Sequence, residues 1–194
     1  MIINESGLTR QIKRAYSHGG YTVAHTEEGL AVYTDMWFIM CTTKIMPRKA
    51  LAAIVEHTGT LPERGRALVI KKDVDPQSVD KEDVENTIQE WISANETKDV
   101  TMTLLTYKGL QIFQAEAEDN LNCYGASRSA LEILEYEACR YRKAVAADRY
   151  KLSWYDDGTQ VVIRAYSGLF HKEDQNLWNM LESIDLKPKD ETEE

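Results

Sequence analysis

Apolar residues recur along the N-terminal stretch at the spacing of a helix. Leu8, Ile12, Ala15 and Tyr16 share one helical face, with Arg10, Lys13 and Arg14 off it. The pattern predicts a helix starting after Ser6. His18-Gly19-Gly20 ends it, because glycine readily takes the left-handed cap conformation. From Tyr21 the period becomes alternating. A hairpin is expected over 21–26 and 30–34 about a turn at Glu28-Gly29, followed by a third β-prone run over 36–42. Pro47 opens a helix carrying Leu51, Ile54 and Val55 that stops at Gly59, and a strand is expected over 67–71.

Residues 73–81, with Asp73, Asp75, Pro76, Ser78 and Asp80, read as a linker. A helix over 82–94 puts Val84, Ile88, Trp91 and Ile92 on one side. A hairpin over 100–106 and 110–117 turns at Tyr107-Lys108-Gly109, and a short run near 121–124 follows. Ser129 and Glu132 have the spacing of a capping box. Leu131, Leu134, Ala138, Tyr141 and Val145 continue as the stripe of a long helix reaching Ala147. Strands over 150–155 and 160–165 flank Asp157-Gly158, and a last helix over 174–184 carries Leu177, Met180, Leu181 and Ile184.

Residues 14–33 and 143–162 align without a gap: Lys143 falls on Arg14, Tyr150 on Tyr21, Trp154 on His25 and Val161 on Val32, and the two acidic-acidic-Gly turns coincide. The expectation is an α+β fold of antiparallel hairpins with flanking helices, carrying an internal helix–hairpin–helix duplication with copies near 6–59 and 131–186. The corresponding division is an N-terminal unit over 1–72, a C-terminal unit over 82–186 and an acidic tail over 187–194, with packing as one domain as the alternative.

The 194 residues carry a net charge of −9, unevenly spread. Residues 1–72 hold 10 Lys/Arg against 6 Asp/Glu, whereas residues 73–127 hold 3 against 12. That balance argues against general nucleic-acid binding, which shows as a basic domain, and leaves room for a negative surface facing a basic partner. Cys41, Cys123 and Cys139 are odd in number and include no C-x-x-C, which reads as reduced, buried thiols of a cytoplasmic protein. No apolar run reaches the ~20 residues of a membrane span, and Met1–Arg10 lacks the pattern of a secretory signal.

Chemistry-bearing clusters are sparse. His171, Glu173 and Asp174 sit at an expected helix start, and zinc needs three or four convergent ligands, so neither metal nor cofactor is expected. Carboxylates for a Mg²⁺-dependent nuclease are available at Glu96 with Lys98, and at Glu116 and Glu118, but none lies on an expected central strand. His57 lies at a helix C-terminus, where its imidazole has a structural role. No P-loop, nucleophile elbow or dinucleotide glycine motif is present. What remains is a basic face, Arg10, Lys13, Arg14, Arg140, Arg142 and Lys143, and an outward aromatic set, His25, Trp154 and Tyr155. Tyr33, Tyr107 and Tyr124 are further candidates for exposure, while Trp91 and Trp178 read as core.

Two stretches, AYSHGGYTV (15–23) and PRKALAAIVEHTGTLPERGRA (47–67), resemble segments of uncharacterised small proteins of mobile elements and prophages of gut bacteria. The stretch AVAADRYKLSW (144–154) is similar to a strand motif of bacterial sliding clamps. The first resemblance implies a small protein that acts by binding a host protein, such as an inhibitor of a restriction or CRISPR nuclease, and it transfers no catalytic residue. The functional expectation is therefore a non-catalytic interaction protein, more a binder than an enzyme, whose partner is a host nuclease or its nucleic-acid complex. A nucleic-acid-binding accessory using the basic face is one alternative, and a Mg²⁺-dependent nuclease the other.

Overall fold

Asn4, rather than Ser6, opens the first helix. In the computed structural model of the chain, which describes residues 2–94, 97–116, 121–141, 144–147, 150–166 and 172–188, the Asn4 side chain accepts the Gly7 amide at 2.8 Å and caps α1 (Glu5–His18). Leu8, Gln11 and Ile12 form its buried stripe. Strands β1 (Tyr21–His25), β2 (Leu30–Tyr33) and β3 (Trp37–Cys41) follow, then α2 (Arg48–Thr58), which Gly59 ends at φ 77°. After β4 (Arg66–Lys71) the expected linker is instead a strand, β5 (Val74–Val79), paired antiparallel with β4. Its polar, exposed residues and Pro76 are the composition of a sheet edge, where one side of the strand needs no partner.

The second half runs through α3 (Lys81–Ile92), β6 (Thr97–Tyr107), β7 (Leu110–Glu116) and β8 (Leu121–Ser127). Here the expected long helix breaks up. It becomes two short helices, α4 (Arg128–Leu131) and α5 (Tyr136–Tyr141), and a strand, β9 (Ala144–Ala147). The capping box does not form: Ser127 is the N-cap residue, and Glu132 reaches Arg10 instead. Alanine favours helix, yet β9 is wedged between β6 and β10 (Lys151–Asp156) and bonds to both, so two ladders of hydrogen bonds override the local preference. The chain ends with β11 (Thr159–Tyr166) and α6 (Lys172–Glu182).

All strands join one antiparallel sheet in the order β10-β9-β6-β7-β8-β11-β3-β2-β1-β4-β5. That order contains the same arrangement twice, β3-β2-β1-β4-β5 and β8-β7-β6-β9-β10. In each, a helical segment links the third strand to the fourth, and another helix (α3 or α6) follows the last strands. This frame is not the expected one: the aligned stretches fall on β1–β2 and β10–β11, and the helix before β10 is missing. Even the two aligned hairpins differ. β1 and β2 close with His25 opposite Leu30 around a four-residue loop held by Thr26, whereas β10 and β11 close a two-residue turn at Asp157-Gly158, both at positive φ. Because β11 pairs with β10, β8 and β3, the strands β10-β9-β6-β7-β8-β11 form a closed circuit, and among the described residues β5 is left as an open edge.

The main core lies on one side of this sheet and draws on both halves. Leu8, Ile54, Val32 and Ile39 meet Phe113, Leu152, Trp154 and Ile163 there. On the opposite side, α3 covers Ala31, Tyr33, Phe38 and Val162, and α6 covers Ile112 and Cys123. Strands covered on both faces lose the polar alternation of a half-exposed strand, and all four residues of β2 are accordingly buried.

Candidate functional site

Helix α3 seats Val84, Ile88 and Trp91 on the sheet at i, i+4 and i+7. The Trp91 ring stacks on Phe38 with centroids 6.0 Å apart, and Phe38 in turn lies 6.1 Å from Tyr33. Lys151 on β10 donates to the carbonyls of Glu90 and Ser93 at 2.8 and 2.7 Å. A cation there meets the negative end of the helix dipole and satisfies acceptors that the helix leaves open. Directly opposite Lys151 in the hairpin stands Arg164. Like charges facing each other across a ladder repel, so each must find a partner elsewhere. Lys151 has the helix end, and the exposed Arg164 guanidinium lies 5.6 Å from the centre of the Trp91 ring.

Beside this arrangement runs a groove of about 960 Å³. Tyr33, Trp91, Tyr150, Tyr166 and Arg164 line it, and Asp35 and Glu90 stand on its rim. Burial pushes the Tyr33 hydroxyl up from its ordinary value, while a hydrogen bond from Thr22 pulls the other way. Tyr150 leaves 59% of its surface to solvent. A second groove, about 470 Å³, flanks the other side of α3, bordered by His25, Glu28, Arg66 and Glu85.

Among the described members of the expected basic face, two are engaged by acids. Residues 2–4 dock on the segment after α4, through Asn4 N–H to the Ile133 carbonyl and Glu135 N–H to the Ile2 carbonyl. Arg10 pairs with Glu132 at 3.0 Å and Lys13 with Glu56 at 3.3 Å, both exposed. Arg14 is exposed on α1, and Arg140 is exposed with its guanidinium 3.4 Å from the Tyr136 hydroxyl. Arg142 and Lys143 lie outside the described residues. Of the aromatic set, Tyr155 is 71% exposed, and His25 is half-buried with Nδ1 3.0 Å from the Pro62 carbonyl oxygen. Trp154 does not face outward. It is 1% exposed, edge-on to Phe113 at 5.9 Å, because the face of β10 that it shares with Leu152 points into the main core.

The remaining candidates for chemistry are engaged in structure. His57 stacks on Tyr16 at 3.9 Å, and its Nδ1 is 3.0 Å from the Tyr21 hydroxyl; burial holds its pKa below the ordinary value. Burial pushes the thiols of Cys41 and Cys139 up to about 12 and that of Cys123 to about 11, which withholds the reactive thiolate. Glu116 meets Lys187 at 2.9 Å, while Glu96, Glu118 and His171 lie outside the described residues. Among the described residues no three His, Cys, Asp or Glu side chains gather as a metal would need.

No family model matches the chain, and neither does any curated protein. Among solved structures, it is similar to a putative DNA polymerase III beta subunit from Eubacterium rectale. The TM-score is 0.33 and the identity 9%, over 91% of this chain and 67% of that one. Similarity at this level establishes neither a shared fold nor a shared activity.

Sequence reasoning missed Tyr150, Arg164 and Tyr166 as members of one site. The signal available was the facing pair Lys151 and Arg164, a like-charge mismatch once the hairpin at Asp157-Gly158 is recognised.

Proposed function

We propose that this is a non-catalytic interaction protein whose partner docks on the α3 side of the sheet. The observation that carries the reading is the large groove beside α3, where Trp91, Arg164 and several tyrosines converge. Trp, Tyr and Arg dominate the energetic centres of protein interfaces because they bring wide contact area and fixed polar tips at modest entropic cost. The inert state of the three thiols and the engagement of Glu116 support binding rather than turnover. The mixed charge around α1 and α5 favours a protein partner over a nucleic-acid backbone, since Arg10 and Lys13 already spend their charge on glutamates. A host nucleic-acid enzyme, inhibited by occupancy, is the partner class we carry forward from the sequence, and the repeated strand order we read as an internal duplication.

The test is affinity capture from host cytosol with the intact chain and two variants. Thr87→Trp fills the groove, and Met180→Arg changes an exposed position on α6. A partner retained by Met180→Arg and lost by Thr87→Trp is the expected result. Capture indifferent to both variants, with each variant folded by circular dichroism, would overturn the reading.

A further inference from the structure

We draw no further inference here: the strongest candidate, the apolar surface point where the irregular stretch of β6 between Met102 and Thr106 leaves Leu104 78% exposed, carries nothing because nothing in the structure shows what covers that side chain.

Discussion

Helices α3 and α6 occupy corresponding places after the two repeated sets of strands, yet they close their sheets to different degrees. α6 is locked down. Trp178 is 2% exposed, and Gly125 lies close beneath it: a methyl group there would crowd the Trp178 ring at 3.3 Å and the end of the Leu110 side chain at 2.9 Å. Gln114, itself buried, donates to the carbonyls of Leu181 and Ile184 and accepts from the Leu186 amide at 2.8–3.0 Å, tying down the end of the helix. α3 has no such buried clasp. Its end is held by Lys151, the exposed Arg164 lies by the buried Trp91 ring, and grooves run along both flanks. The same kind of cover is thus a seal in one half and is flanked by open grooves in the other. What separates them is the side chains that the sheet presents beneath each helix.

Tryptophan replacement is the strongest way to break this comparison. Trp178→Ala should destabilise the fold by about 3–5 kcal/mol, the cost of a large buried void. Trp91→Ala should cost less, by ~1 kcal/mol, because the groove beside α3 lets the exposed Arg164 side chain and water move into the space that the indole leaves. Equal losses in urea denaturation would mean that α3 is as firmly sealed as α6. Next in size, Gln114→Leu should cost about 2–3 kcal/mol, since Leu181, Ile184 and Leu186 would each lose a buried partner. Amide exchange should then accelerate over 181–186 and remain unchanged over α3. Lys151→Met should cost only ~0.5–1 kcal/mol, with faster exchange confined to the end of α3.

The smallest effect concerns His57, in the first half alone. Burial lowers its folded pKa beneath the unfolded 6.5. The unfolded chain therefore binds the proton more readily, and stability is complete above pH 6.5 and falls as the pH drops through the folded pKa. The expected readout is a denaturation midpoint that declines below pH 6.5 in the native chain, with that part of the slope removed in His57→Gln. An unchanged slope in the variant would assign the decline to other groups.

Much of the local structure could be read before the fold was known. Gly59 at φ 77°, Lys108-Gly109 at 46° and 80°, and Asp157-Gly158 at 44° and 73° each sit where the residue types announce a cap or a tight turn. Strands β1 to β4 and helices α1, α2, α3 and α6 follow their periodicity, with ends shifted by caps such as Asn4. The candidate site was hardly visible. Tyr33 stood out as a candidate for exposure and is buried, and Trp154 read as outward and is enclosed; Trp91 read as core and is buried, yet it also walls the groove.

The reason is the range of the forces involved. A positive φ, a proline or a 3.6-residue stripe is a property of a few neighbouring residues, so the sequence alone settles turns, caps and most elements. Whether Ala144–Ala147 is helix or strand depends on the unpaired edges of β6 and β10, and whether 74–79 is linker or strand depends on β4. The groove depends on still more, since its walls come from the end of α1, from α3, and from the ends of β2, β10 and β11. Only the tertiary structure brings those ends together, and only it decides that one outer helix seals its sheet while the other leaves a cleft beside it.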